Sequence, residues 1–259
     1  METINNNYSK LECAILFFLT VLFCGLYVPV NVFTSFMQVD YGIYFLTKYD
    51  ELIPYSTNLF FIYILYYLVF FIIIFIFLKT EYDIIPVRKI SSACIMLYLT
   101  GYLIFLFFPN SSNALAKGVS QDPQNASIYF FNKYITTPFG ANPSLHVGTA
   151  WLFLKAWRNF FPDFRFKSLC LFLFYGWFIV LVISTLTLKY HYIIDAICGI
   201  LLAEFIYWIL ISKNILHAEK WSLIGYKRLL VLETALMIST LLFFIISQYF
   251  LARLLLNQH

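Results

Sequence analysis

Residues 168–211 read SLCLFLFYGWFIVLVISTLTLKYHYIIDAICGILLAEFIYWILI, and this stretch decides the fold. It contains two apolar runs, 168–188 and 191–211, separated only by Lys189 and Tyr190. A helix of about 20 apolar residues is long enough to cross a lipid bilayer. The stretch therefore predicts a helical hairpin in a membrane, with a short polar turn at one surface.

The composition of the whole chain is that of a membrane protein. The 259 residues are 62% hydrophobic and 12% charged, whereas soluble domains are about half apolar and a quarter charged. Further apolar runs occur at 12–34, 56–78, 90–109, 144–161 and 229–252. We predict an all-α polytopic membrane helix bundle with six core transmembrane helices and a seventh. It forms a single integral membrane domain over 1–259, with a catalytic core at 90–212.

Charge and cysteine usage argue against other classes of protein. The net charge of +4 is too small to favour nucleic acid, so the expected partners are membrane lipids. The five cysteines all lie within apolar runs, which predicts small core side chains and no disulfide framework.

The basic residues predict the orientation, because Lys and Arg concentrate in cytoplasmic loops. With the N-terminus in the cytoplasm, twelve of them fall on that side: Lys10, Lys79, Arg88, Lys89, Lys155, Arg158, Arg165, Lys167, Lys213, Lys220, Lys227 and Arg228. Five fall on the other: Lys48, Lys117, Lys133, Lys189 and Arg253. This topology places His146 and His191 together on the non-cytoplasmic face.

His191 and Asp195 are the first candidate catalytic pair. A spacing of four in the first turns of a helix places both side chains on one face. Asp195 could then hold the proton of one imidazole nitrogen and leave the other nitrogen as a nucleophile. The alternative is a helix-capping carboxylate beside an interfacial histidine.

A second motif, Pro143-Ser144-Leu145-His146, begins another helix. Ser144 is expected to cap it, and its hydroxyl and the following amides can hold an oxyanion. His146, in the first turn, is suited to protonate a leaving group. Together the two motifs indicate phosphoryl transfer through a phospho-histidine at His191. Two unrelated interfacial histidines are the simpler alternative.

The two motifs resemble signature motifs of the phosphatidic acid phosphatase type 2 superfamily, Pro-Ser-x-His and Ser-x6-His-x3-Asp. Ser184-Thr185, Leu145, His191-Tyr192 and Gly199 are most similar to the inositol phosphorylceramide synthase branch. The resemblance covers residues 90–210. It implies that His191 is the nucleophile, Asp195 orients it, His146 protonates the leaving group and Ser144 binds a phosphoryl oxygen. It implies neither a metal nor any other cofactor.

The chain also departs from the family pattern. The family's first motif, Lys-x6-Arg-Pro, is absent around 102–118, and Thr185 replaces the arginine of the third motif. Phosphoryl groups need positive charge near them in the transition state. Lys189 is the preferred substitute and Lys117 the next, with Lys133 a third candidate. If none of them reaches the site, the chain is an inactive relative.

Two further features are expected to be structural. The tyrosines Tyr63, Tyr66 and Tyr67 could form a ligand box, but ordinary packing is favoured. Glu204 lies deep in a span, where a charged carboxylate costs a few kcal/mol. A hydrogen bond to a neighbouring helix is favoured there over a contact near the substrate path.

The sequence thus predicts a membrane lipid phosphatase that hydrolyses a lipid phosphate or diphosphate. A phosphotransferase that moves a phospho-headgroup to a lipid alcohol is the alternative within the same site. An inactive scaffold or a transporter is the alternative from another class, although no repeated halves are present to favour transport.

Overall fold

The structure, a computed structural model, describes residues 6–36, 46–79, 84–111, 140–160 and 167–212. The chain divides into two compact units, Met1–Leu216 and His217–His259. The second unit lies outside the described residues, and so does the span predicted at 229–252.

The described residues are mostly helical. The helices are α1 (Asn6–Gly25), α2 (Tyr27–Ser35), α3 (Lys48–Leu52), α4 (Phe60–Lys79), α5 (Ile84–Phe107), α6 (Leu145–Phe160), α7 (Lys167–Thr187) and α8 (Ile193–Ile206), which continues into a π-helical segment, Tyr207–Ser212. The predicted all-α class is therefore confirmed for this part of the chain.

Four stretches within the described ranges are long and apolar enough to cross a membrane. They are Glu12–Thr34, Ile84–Phe107, Lys167–Thr187 and Ile193–Ser212. The runs predicted at 12–34, 90–109, 168–188 and 191–211 thus correspond to candidate spans whose limits differ from the predicted ones by at most six residues. The helix predicted at 144–161 has only 16 residues, fewer than the roughly 20 that a perpendicular span needs. The described residues thus contain four candidate spans, fewer than the six core spans and the seventh that the sequence predicts.

The short helix α6 occupies the middle of the bundle. Ten of its residues are buried, and it packs against α5, α7 and α8. By contrast, α7 exposes large apolar side chains along its length, among them Leu169, Phe172, Leu173 and Ile179. Such a surface suits hydrocarbon, whereas a soluble protein would bury it. The core of the bundle therefore lies around α6.

Polar contacts join the helices away from the histidine motifs. Glu204 of α8 accepts a hydrogen bond from Trp151 Nε1 (2.6 Å), and its carboxylate pairs with Lys155 Nζ (2.9 Å). Both partners belong to α6, so the interpretation of Glu204 as a helix-to-helix contact is confirmed.

A buried ion pair ties the first span to α5. The guanidinium of Arg88 donates from Nε to Glu12 Oε1 (2.6 Å) and from a terminal nitrogen to Oε2 (2.8 Å). The two side chains are only 9% and 7% exposed. The bidentate geometry satisfies both charges, which offsets the cost of taking them out of water.

Removing one member of this pair should leave the other charge buried and alone. We expect Arg88→Met to lower the free energy of unfolding by about 3–5 kcal/mol. The double substitution Arg88→Met with Glu12→Leu should recover most of that loss. Thermal unfolding in detergent measures both, and a single variant as stable as the parent would contradict the structural role of the pair.

Candidate functional site

The two histidine motifs meet where α6 and α8 begin. The backbone N–H of Ser144, just before α6, donates to the carbonyl oxygen of Asp195 in α8 (2.9 Å). Ser144 Oγ in turn accepts from the N–H of Val147 (3.4 Å), the usual arrangement of a residue that caps a helix. The motifs are 45 residues apart in the sequence and are adjacent in space.

Two glycines allow this close approach. A Cβ atom added at Gly199 would lie 2.4 Å from the carbonyl oxygen of Ser144, and one at Gly148 would lie 2.9 Å from that of Gly199. Real Cβ atoms do not come so near to a backbone oxygen. Small residues at a crossing let membrane helices pack backbone to backbone, so Gly148 and Gly199 fix the distance between the motifs.

His191 and Asp195 are neighbours, but not as residues of one helix face. Since α8 begins at Ile193 and Tyr192 is its N-cap, His191 lies before the helix. The prediction that His191 lies in the first turn is therefore wrong, because the chain at His191 has not yet turned into the helix. His191 Nδ1 is 3.7 Å from Asp195 Oδ2, and that oxygen accepts from the N–H of Tyr192 (2.7 Å).

Asp195 therefore caps α8 and also faces the imidazole. Both side chains are buried, with exposures of 0% and 3%. Asp195 Oδ1 and His191 Nδ1 have no hydrogen-bond partner among the described residues. Buried polar atoms are nearly always paired, so a small rotation of either side chain, bringing Nδ1–H to the carboxylate, would remove an unfavourable state.

His146 lies beside His191, with a separation of 6.0 Å between the ring centroids. Its Nε2 atom is within hydrogen-bonding distance of two phenol oxygens, at 2.9 Å from Tyr67 and 3.1 Å from Tyr63. Its Nδ1 atom is buried without a hydrogen-bond partner in the described part of the chain. The imidazole is thus held by α4.

The tyrosines of α4 do more than fill the core of the bundle. The rings of Tyr63 and Tyr66 belong to the buried core, as expected. Packing does not explain why two hydroxyls of this group reach the same histidine nitrogen, and the expectation of packing alone is incomplete. Tyrosines spaced three and four apart in an apolar run have the pattern of a core face, so the contact with His146 is not visible in the sequence.

The loop before Ser144 is held from α5. Asn110 Oδ1 accepts from the N–H groups of Ala141 and Asn142 (3.0 Å each), and the Asn110 carbonyl accepts from Gly140 N–H (2.9 Å). Gly140 has φ +74°, a backbone conformation that favours glycine. This bonding fixes where Ser144 and His146 enter α6.

Asn31 of α2 is a further polar residue at this end of the bundle. It is 1% exposed, it lies directly behind Gly140, and neither polar atom of its amide makes a hydrogen bond to the described residues. Tyr27, one turn earlier, contacts the ring of His146 edge-on at 5.7 Å between centroids. The only sequence signal for Asn31 was a polar side chain inside an apolar run.

Lys189 lies in the turn between α7 and α8, with φ +60°. Its ammonium donates to the carbonyl oxygens of Asp50 (2.8 Å) and Ile53 at the end of α3. Burial lowers the pKa of Lys189 from its ordinary value, and the nearby charge of Asp50 opposes that shift. The structure thus shows this lysine bonded to a neighbouring segment, which leaves its predicted phosphate-binding role untested.

Two of the predicted cations are not among the described residues. Lys117 and Lys133 both lie in 112–139, outside the described residues. Thr185, which replaces the family's arginine, is buried, and its hydroxyl donates to the carbonyl of Val182 (2.8 Å). A threonine in this position offers the site no positive charge.

Comparison with known proteins assigns the chain to a family. A family model described as the PAP2 superfamily matches residues 43–209. The chain belongs to the PAP2 superfamily. No curated protein and no solved structure matches it. Since this superfamily generally comprises phosphatases and phosphotransferases, membership indicates a lipid phosphoesterase of the phosphatase type.

The contact between Gly148 and Gly199 can be tested with a matched pair of alanine variants. Gly199→Ala should destabilise the protein by about 1–3 kcal/mol, because the new methyl group meets a backbone oxygen. It should also reduce activity by separating Ser144 from Asp195. Gly176→Ala in α7 is the control, because a Cβ there meets nothing within 4 Å. An equal fall in the thermal unfolding temperature of both variants would contradict the proposed contact.

Proposed function

We propose that the protein hydrolyses a lipid phosphate or diphosphate on the non-cytoplasmic face of a membrane through a phospho-His191 intermediate. The observation that supports this most directly is the convergence of His146, His191 and Asp195 from two distant motifs into one buried cluster. The orientation rests on the twelve-to-five distribution of basic residues. The substrate class rests on the superfamily.

The chemistry of the first step follows from the residue types. A nitrogen of His191 attacks phosphorus, so that an N–P bond forms as the bond from phosphorus to the lipid oxygen breaks. Asp195 accepts a hydrogen bond from the other imidazole nitrogen and stabilises the positive ring. His146, whose ring centre lies 6.0 Å away, supplies the proton that the leaving oxygen needs. Water then attacks the phospho-histidine, with the proton passing in the reverse direction.

The start of α6 is the proposed place for the phosphoryl oxygens. Ser144 precedes the helix, and the first amides of a helix carry partial positive charge and attract anions. Positive charge from a side chain is still required, and Lys189 remains the preferred source, with Lys117 next. For Lys189 this requires its ammonium to exchange the carbonyls of Asp50 and Ile53 for a phosphate.

A phosphotransferase is the second candidate, and one observation favours it. His146 and His191 are only 5% and 3% exposed, so the site is shielded from bulk water. A shielded phospho-histidine would survive until a lipid alcohol arrives. The residues that resemble the inositol phosphorylceramide synthase branch, Ser184-Thr185 and Gly199 among them, agree with this alternative.

Phosphate release from lipid phosphates and diphosphates in detergent tests the proposal. The wild type should release phosphate, and His191→Ala should lose activity by about 1,000-fold or more, because the nucleophile is gone. A quenched reaction should contain a phosphoprotein that is stable to alkali and labile to acid in the wild type alone. If phosphoinositol lipids and an alcohol acceptor give product where water does not, the phosphotransferase is correct. Equal turnover by His191→Ala and wild type would exclude both.

Asp195→Asn distinguishes the role of this carboxylate as a helix cap from its role beside His191. The amide oxygen can still accept from Tyr192 N–H, so the cap and the thermal stability should be largely kept. The charge that stabilises the imidazolium is lost, so turnover should fall roughly 100-fold or more. A variant that is destabilised but fully active per folded molecule would show that Asp195 is only a cap.

A further inference from the structure

His146, the proton donor of the proposed reaction, has no nitrogen that a substrate can reach directly. Nε2 of His146 faces the hydroxyls of Tyr67 and Tyr63, at 2.9 and 3.1 Å, and its Nδ1 is a buried atom. A leaving oxygen that approached either nitrogen directly would have to displace a phenol or enter the core. In this position the His146 imidazole can exchange a proton with the hydroxyl groups of Tyr67 and Tyr63.

The ring of His146 is also prevented from turning. Aromatic rings surround it at centroid distances of 5.0 Å for Tyr66, 5.1 Å for Tyr63, 5.6 Å for Tyr67 and 5.7 Å for Tyr27. Close-packed side chains change rotamer only with their neighbours. A phenol hydroxyl, in contrast, rotates about one bond and can donate and accept at once.

Of the two phenols, Tyr67 is better placed to meet a substrate. Tyr63 is 2% exposed and belongs to the buried core, whereas Tyr67 is only partly buried. Tyr67 also has the shorter distance to His146 Nε2. Its hydroxyl is therefore the better candidate of the two to link the buried imidazole to a bound substrate.

We propose that Tyr67 is a catalytic residue that carries the proton between His146 and the leaving oxygen. In the free protein, burial beside His191 disfavours the charged ring of His146, so the phosphate monoanion brings the proton that Nε2 carries in the complex. As the phosphorus–oxygen bond breaks, the lipid alkoxide takes the Tyr67 proton, and the phenol oxygen takes the Nε2 proton of the His146 imidazolium, which becomes neutral. In the second step water gives a proton to Tyr67, which passes its own to Nε2 and restores the imidazolium. The inference rests on the proposed function and assigns the contact with the leaving group to the phenol.

Dependence on the leaving group tests the relay. A lipid alkoxide is a poor leaving group and needs a proton, whereas nitrophenolate leaves without one. Tyr67→Phe should therefore slow phosphate release from a lipid phosphate by about 100-fold. It should slow phosphate release from a nitrophenyl phosphate monoester with an alkyl chain on its ring by only a few-fold. The ratio of the two rates is independent of the fraction of protein that is folded, so instability of the variant cannot imitate the result.

Tyr66→Phe is the matched control on the same helix. Its ring touches His146 in the same way, but its hydroxyl lies 3.4 Å from that of Tyr98. The control should leave the ratio of rates unchanged. If Tyr67→Phe lost activity equally on both substrates, or if Tyr63→Phe showed the selective loss instead, the assignment to Tyr67 would be overturned. The proposed function would still stand in either case, because the wild type is active. A wild type inactive on both substrates and with alcohol acceptors would overturn both proposals.

Discussion

The backbone contact between α6 and α8 is the constraint on which the candidate site depends. Ser144 N–H bonds to the carbonyl of Asp195, and Gly148 and Gly199 bring the two backbones within van der Waals distance of each other. In lipid no hydrophobic force presses helices together, so close packing and backbone hydrogen bonds must hold them. The side chains of the candidate site are therefore placed at or just before the starts of α6 and α8, with little freedom left to their relative position.

The same region concentrates unsatisfied polar atoms. His146 Nδ1, His191 Nδ1, Asp195 Oδ1 and the amide of Asn31 are buried without hydrogen-bond partners within the described ranges. Each such atom costs about 1–3 kcal/mol. Elsewhere in the described residues, the buried charges of Arg88 and Glu12 are paired, and Lys155 pairs with Glu204 where both side chains are partly exposed. Stability is therefore given up at the end of the bundle that carries the candidate site.

Much of this arrangement could be predicted because it depends on local patterns. The hairpin of α7 and α8 follows from two apolar runs, and the nearness of His146 to His191 follows from motifs at two helix starts on one side of the bundle. The hydroxyl contacts of Tyr63 and Tyr67 could not be predicted, because tyrosines at helical spacing have the pattern of a core face. Lys189 was recognised as a cation near His191, but its bonds to Asp50 and Ile53 depend on where α3 lies, which no local pattern specifies.

These contacts also suggest how neutral hydrogen-bond donors could supplement the side-chain cation that a phosphoryl group needs. A positive side chain stabilises a phosphoryl group wherever it lies within a few ångströms, whereas neutral donors work only when they are already aligned and shielded from water. Phenols fixed by core packing and amides at a helix start satisfy that condition, since they need no reorganisation when charge develops. Their interaction falls off more steeply with distance than that of a full charge. A site built in this way tolerates less displacement than one with arginines, which gives a physical reason for the glycine contact that holds α6 against α8.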